Sequence, residues 1–342
     1  MAEPTTFAAL PFHILARTPS ELVLTRGTTS VLIEGDGVVP LLRDFCDQFA
    51  AGARSREDIL GSVPGSRRVQ AAELLDLLID RRLLIEADPG HPFLPGLESP
   101  LEIFRWHFAG GALQVQGDLG RARVAVIGVN HITATLLPAL SAAGFSDLTL
   151  VDDPFLRRPA SPRSADQSQG VDPVAWIRDG LSSASIVVAC SDGGSTSILR
   201  EWNAICVKHS VRILPVLVRN MVGLVGPLVI PGDTACFECA LRREARGSEL
   251  MTDIEDLEVE AQRSGVAAFH PSMAGVVAHF AVMEIVKFLG FLPAATAGVM
   301  FDINLMRPEL VSRRILKVPS CPVCSSINVM PAHCIVDVEK KR

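Results

Sequence analysis

The chain has no marked excess of charge of either sign. Its 342 residues carry 32 Lys and Arg against 38 Asp and Glu, a formal net charge of −6. That near-balance implies neither nucleic acid nor an anionic membrane surface as a partner of the molecule as a whole. The segment MAEPTTFAALPFHILARTP does not read as a secretory signal, because it has no basic segment followed by an apolar one. Nor is there a long apolar run free of charge. The longest candidate, Met273 to Leu292, contains His279, Glu284 and Lys287 and reads as a buried helix ending at Gly290, not as a membrane span. These absences predict a cytoplasmic protein with no membrane partner. The 48% hydrophobic content is enough for a substantial core, and the length suggests two domains or one large one.

What is present begins with cysteine. Of the 8 cysteines, four form two Cys-x-x-Cys knuckles far apart in the chain, Cys236-Phe-Glu-Cys239 and Cys321-Pro-Val-Cys324. Each knuckle brings two sulfurs close enough to share an ion, and two knuckles supply the four thiolates of a closed tetrahedral zinc site. Four thiolates leave no open position for water or substrate, so the expected metal is structural. Two disulfides, free dithiols or a redox pair are the competing readings. They are weaker without signs of an oxidising compartment or a thioredoxin-like context. Cys46, Cys190 and Cys206 sit singly in apolar segments and read as core residues, and Cys334 also stands alone.

The organisation changes at ADPGHPFLPGLESP, where Pro and Gly cluster near residues 88–100. The expected division is a first domain over 1–90, a connecting segment over 91–120, a second domain over 121–330 and a tail over 331–342. In the first domain Phe12 to Arg17, Glu21 to Arg26 and Thr28 to Glu34 read as strands. Helices follow over Val38 to Ala51, Ser55 to Ser62 and Ser66 to Arg81, the last with Val69, Leu74, Leu77 and Leu78 on one face. A short strand, Leu83 to Glu86, closes a pattern that describes a winged helix-turn-helix. Glu73, Asp76 and Asp80 stand against arginines only at the ends of the last helix, a poor face for phosphates. The alternative use of such a module is to bind an extended peptide at the edge of its third strand.

The second domain alternates strand and helix as a doubly wound α/β sheet. Arg123 to Gly128 is a buried strand, a helix follows from about Ile132 to Ala143, and Leu148 to Asp152 is the next strand. A strand ending in Gly, a helix, and a strand ending in an acid normally mark a nucleotide site. Here the turn reads Gly128-Val-Asn130-His-Ile-Thr133, with one glycine of Gly-x-Gly-x-x-Gly left. Asn130, a residue that tolerates the left-handed region, stands at the second position, and Asp152 is placed for a ribose contact. Two readings stay open: a divergent ATP site, or a fold retained without its ligand, the second being preferred. His270-Pro271-Ser272 opens the long apolar helix, with Ser272 the expected cap. His131 and His209 read as structural, and the acidic run Glu244 to Glu260 as a solvated loop.

Four stretches carry a family resemblance. They are Val124 to Gly128 through Val151-Asp152, Asn203-Ala-Ile-Cys206, Gly226-Pro-Leu-Val-Ile-Pro-Gly-Asp-Thr-Ala-Cys236-Phe-Glu-Cys239, and Cys321 to Cys324. With them, residues 101–330 resemble the ThiF and ubiquitin-activating-enzyme-like adenylating fold, in which four such cysteines hold structural zinc. Active members follow the ribose acid with a second acid and an Asn-Leu-x-Arg-Gln stretch. This chain has Asp152-Asp-Pro-Phe-Leu-Arg157-Arg158 instead, keeping an arginine and losing the Asn and Gln, and Asp192 matches the acid that would face metal and phosphate. The resemblance therefore implies an eroded nucleotide site at Gly128, Asn130 and Asp152, and makes ATP an unexpected cofactor.

A degenerate ThiF-like domain behind a winged-helix module resembles a narrower group. These are the partner proteins of YcaO cyclodehydratases in thiazole/oxazole-modified peptide pathways, whose N-terminal module is a RiPP recognition element. The resemblance implies a scaffold, not an enzyme in its own right. It would bind the leader of a ribosomal precursor peptide and present the core to a separate YcaO protein, with ThiF-like homodimerisation as the default. The implied leader groove is lined by Thr29, Val31 and Ile33 on the third strand and by Gln70, Leu74 and Leu77 on the third helix. Alternation puts the three strand residues on one face without saying which face points outward.

Overall fold

The computed structural model describes residues 5–9, 12–26, 29–87, 112–158, 170–193, 196–219, 221–245, 269–290, 296–304 and 306–325. Contacts divide the chain into two compact units, 1–117 and 118–342. The Pro/Gly-rich stretch over 88–100, Cys334 and the greater part of the acidic run (246–260) lie outside the described residues.

In the first unit the chain forms β1 (Thr6–Ala9), β2 (His13–Thr18), β3 (Glu21–Arg26), β4 (Thr29–Glu34), α1 (Val38–Ala50), β5 (Arg54–Ser55), α2 (Arg56–Gly61), α3 (Arg68–Asp80) and β6 (Leu84–Glu86). The strands make two antiparallel three-stranded sheets, β2-β3-β4 and β5-β1-β6. Leu22 and Leu24 of β3 face inward opposite Ile33 and Val31 of β4, and all four pack with Leu41, Leu42 and Phe45 of α1 and with Leu74, Leu75 and Leu78 of α3. Gly37 starts α1 at φ +67°, a conformation a side chain would disfavour. Ser55 caps α2, its hydroxyl accepting from the Asp58 amide at 3.1 Å. Val69, expected on the buried face of α3, is 73% exposed. At about 100° per residue, the nine residues from Val69 to Leu78 turn it to the opposite side.

Helix α4 (Ala112–Arg121) runs across the boundary, and the second unit then contains β7 (Arg123–Ile127), α5 (His131–Ala142), β8 (Asp147–Val151), α6 (Pro173–Asp179), β9 (Ile186–Ser191), α7 (Thr196–Lys208), β10 (Ile213–Arg219), β11 (Val222–Val225), α8 (Phe237–Ala245), α9 (Pro271–Leu289), β12 (Val299–Asn304) and β13 (Glu309–Arg314). Seven strands form one sheet in the order β13-β12-β11-β10-β9-β7-β8. The expected doubly wound half, β10-β9-β7-β8, is parallel, and β11, β12 and β13 extend it antiparallel. Of the parallel strands, β7, β9 and β10 are near-continuous buried apolar runs, as strands covered on both faces must be, and the edge strand β8 is only partly buried. Because β7 lies between β8 and β9, the chain reverses its direction of travel across the sheet there. In open α/β sheets the ligand crevice lies at such a switch point, which here is at the carboxyl ends of β7 and β9.

Helix α9 packs on α5 and on β10 and β11. Gly223 of β11 lets Val277 approach so closely that an added Cβ would clash with its Cγ2. By length and composition α9 is the one described helix that could cross a bilayer, but half of its apolar window is buried within the protein, as in a core helix. Its cap is His270, whose Nδ1 accepts from the Ser272 amide at 3.2 Å, so Ser272 is not the cap expected from the sequence.

Candidate functional site

The crevice at the switch point is built from the ends of β7, β8 and β9. The turn after β7 begins with Gly128 at φ +103°, where a Cβ would come within 2.8 Å of the Cys190 carbonyl oxygen. Asn130 is not left-handed: it is extended, with φ −152°, and serves as the N-cap of α5. Its Oδ1 accepts from the amides of Ile132 (3.1 Å) and Thr133 (3.2 Å), and Thr133 Oγ1 accepts from the Asn130 amide at 2.9 Å. Its Nδ2 donates to the carbonyls of Cys190 (2.8 Å) and Leu156 (3.2 Å). The remaining donor of this first turn, the His131 amide, is taken by Asp192 Oδ2 at 3.0 Å. A helix N-terminus whose amides normally await an anion is thus satisfied from within, with the Asp192 carboxylate in the anion's place.

Arg157 and Arg158 complete the closure. Arg158 Nε donates to Asp192 Oδ1 at 2.8 Å, and His131 Nδ1 lies 2.8 Å from Asp192 Oδ2. Asp192 is only 3% exposed. Phe269 covers the group, with the Arg158 guanidinium 5.7 Å from its ring centre and the His131 ring packed edge-on at 5.5 Å. Arg157 Nε donates to Asp152 Oδ1 at 2.8 Å, with a second guanidinium contact to Oδ2. The acid placed for a ribose is therefore paired with the chain's own arginine. Asp153 is buried too, accepting from Trp202 Nε1 at 2.8 Å. Sequence reasoning found Asn130, Asp152 and Asp192 and one of the arginines as a substitute. It missed that Arg157 pairs with Asp152 and Arg158 with Asp192, for which the doubled Arg157-Arg158 was the available signal.

The two cysteine knuckles meet. The sulfurs of Cys236, Cys239, Cys321 and Cys324 all lie within 4.8 Å of one another. Individual separations are 3.9 Å for Cys236 to Cys239, 3.6 Å for Cys236 to Cys321 and 3.4 Å for Cys239 to Cys324. Tetrahedral thiolates about 2.3 Å from one ion would be roughly 3.8 Å apart, so the cluster could hold a metal ion. Burial pushes the thiols of Cys236 and Cys239 up, the latter to about 11. A cation among the sulfurs would reverse that push. The knuckle is anchored to α7: Asn203 Oδ1 accepts from the Phe237 amide at 3.0 Å. Glu238 bridges Arg200 (2.7 Å) and Arg242 (2.7 Å). Against the upward push of its burial, those two guanidinium groups hold the Glu238 carboxyl below the usual carboxylate range. Cys190 and Cys206 are fully buried, and Cys46 is half-buried.

Comparison with known proteins bears on the fold. Residues 165–323 match the ThiF family. The molybdopterin-synthase adenylyltransferase of Salmonella typhimurium is 23% identical over 237 residues, 61% of this chain and 89% of that protein. Among solved structures, the heterocyclase TruD matches with a TM-score of 0.64 and 21% identity, over 94% of this chain and 43% of TruD. This chain therefore spans less than half of TruD's length. E. coli MccB, solved with AMPCPP and SeMet MccA, matches with a TM-score of 0.66 and 17% identity, over 93% of this chain and 99% of MccB. At these identities the likeness is one of fold, and it extends over both units of the chain.

In the first unit the six residues expected to line a peptide groove divide. Val31 (7% exposed), Ile33 (8%) and Leu74 (4%) belong to the core, which corrects their assignment as accessible lining. The inward face of β4 is the one opposite Leu22 and Leu24, and alternation sends Ser30, Leu32 and Glu34 outward. Thr29, Gln70 and Leu77 are half-buried, and Gln70 Nε2 donates to the Asp36 carbonyl at 2.9 Å. Among the described residues, β4 pairs only with β3, and no described strand lies along its other edge.

Proposed function

We propose that this chain is a leader-peptide-binding scaffold. It delivers a ribosomal precursor peptide to a YcaO cyclodehydratase, which forms thiazolines or oxazolines on it. The observation that carries the reading is the self-satisfied N-terminus of α5. Asn130 and Asp192 take the amides that would cradle a phosphate, and Arg157 and Arg158 neutralise the acids that would face ribose and metal. A triphosphate entering there would meet a buried carboxylate and would lack free donors for the charge that develops during adenylation. The likeness in fold to the heterocyclase TruD supports the same reading.

The first unit is the peptide-binding arm, a winged-helix RiPP recognition element over residues 1–90, followed by a connecting segment over 91–120, the ThiF-like domain over 121–330 and a tail over 331–342. The leader adds to the open edge of β4, with Thr29, Gln70 and Leu77 beside it. Cys236, Cys239, Cys321 and Cys324 hold a structural zinc that ties the end of the domain to α7 and α8 and has no position for substrate. The molecule works in the cytoplasm as a homodimer, without membrane or nucleic acid. Calorimetric titration with Mg-ATP, and ATP–pyrophosphate exchange with this chain alone, test the scaffold reading. Neither binding nor exchange is expected, and micromolar binding with turnover would overturn it.

A second reading has one observation in its favour. MccB, solved with a nucleotide analogue, matches over nearly its whole length. An ATP-dependent adenylating or peptide-modifying activity on a ribosomal peptide would give a positive result in those same two assays.

A further inference from the structure

The outer face of the β2-β3-β4 sheet is organised in cross-strand rows that run out to the open edge of β4. In one row His13 faces Thr25 and Thr25 faces Ser30; in the next, Leu15 faces Val23 and Val23 faces Leu32. Leu15 and Leu32 are 62% and 51% exposed, so the second row is an apolar stripe in water that stops at the edge. The third row sets Glu21 directly opposite Glu34. Arg17 reaches Glu21 at 3.1 Å, whereas Glu34, the edge residue, has no cationic partner among the described residues. Like charges directly opposed across strands are destabilising, and the open side of Glu34 is where compensation can come from.

The backbone points the same way. The Gly35 amide donates to the Ser20 carbonyl at 2.8 Å. Antiparallel pairs alternate between bonded and non-bonded, so Ile33 and Val31 bond inward to β3 while Glu34, Leu32 and Ser30 aim their amides and carbonyls at the open edge. The residues that offer hydrogen bonds to a new strand are thus the ones whose side chains form the outer rows.

Building on the strand-addition reading, we infer that the added peptide carries a Lys or Arg opposite Glu34. Two positions along, opposite Leu32, it carries an aliphatic or aromatic residue, and two further, opposite Ser30, a polar one. Whichever direction the peptide runs, this spacing holds, because alternate residues share a face. The occupant is an extended cationic-apolar segment. A second copy pairing Leu32 against Leu32 would set each Glu34 opposite Ser30 and leave the acid without a cation.

The test is selection of a random decapeptide display library on the full chain, followed by affinity measurements with synthetic versions of the selected peptide. Wild type should enrich a cation two residues from an apolar side chain, and exchanging that cation for Glu should weaken binding roughly three- to tenfold. Glu34→Lys should reverse the preference to Asp or Glu at the same spacing, and Leu32→Ala should lose the apolar preference while keeping the charge preference. An unchanged charge preference in Glu34→Lys overturns the inference, as does a peptide-competed dimer in place of peptide selection. Leu32→Pro, with its fold checked by circular dichroism, separates the two levels. If it abolishes binding while Glu34→Lys leaves the preference unchanged, strand addition stands and the charge code fails. If it leaves binding intact, strand addition itself fails.

Discussion

Asn130→Ala isolates the lock at the nucleotide crevice. The substitution removes the cap on the Ile132 and Thr133 amides and the two donations to the carbonyls of Cys190 and Leu156. A lost N-cap costs about 1 kcal/mol. Each donation lost to a buried carbonyl adds about 0.5–1.5 kcal/mol, and the Leu156 carbonyl keeps the Val129 amide as a donor. The expected total is therefore about 2–4 kcal/mol, which at roughly 2–4 °C per kcal/mol for a unit of this size lowers the melting temperature by about 4–16 °C. Urea unfolding should show a lower midpoint with an unchanged slope. Asn130→Asp keeps the cap oxygen but sets a carboxylate against the two carbonyls and near Asp192, so it should be destabilising despite its good capping chemistry. Asn130→Gly restores a second glycine at the phosphate turn, yet it should not restore ATP binding, because Asp192, Arg157 and Arg158 remain in place. A loss below about 1 kcal/mol for Asn130→Ala would refute the lock, since a residue kept for ligand contact need not support stability.

Removing metal with a strong chelator, or Cys321→Ser, should abolish a stoichiometry of about one zinc per chain in elemental analysis and collapse the melting transition of the second unit, given the about 10–16 kcal/mol of structural zinc binding in small domains. Asp192→Ala should cost about 3–5 kcal/mol by chemical denaturation, because it strands the Arg158 and His131 partners of a buried carboxylate, and Asp192→Asn should cost less. Burial pushes the Cys206 thiol up to about 12, and Cys190 higher still. Both should therefore stay protonated and resist iodoacetamide at pH 8 in the native protein, as read by mass spectrometry, and become labelled only on unfolding.

The parallel half of the fold was legible because β7, β9 and β10 are near-continuous apolar runs, and only strands covered on both faces read that way. The antiparallel half was not. β13 is largely exposed and polar, and in the first unit β1 was missed as well, four residues whose partners, β5 and β6, lie far along the chain. The knuckles were legible as a ligand set because their spacing alone brings sulfurs together in pairs, although their meeting across 85 positions needed the fold. At β4 the period of two put Val31 and Ile33 on one face, but which face depends on Leu22 and Leu24 across the ladder. The nucleotide crevice was readable as eroded from Gly128 and Asn130. It was not readable as sealed, because that depends on Asp192 and Arg158 converging from separate segments.

The most direct test of the account is calorimetric titration of the zinc-loaded full chain with Mg-ATP, repeated with a bound leader peptide. The account predicts no saturable heat in either titration, because the α5 amides are held by Asn130 and Asp192. Saturable micromolar binding that is lost in a variant of Asp152 would contradict it and mark the crevice as a working nucleotide site.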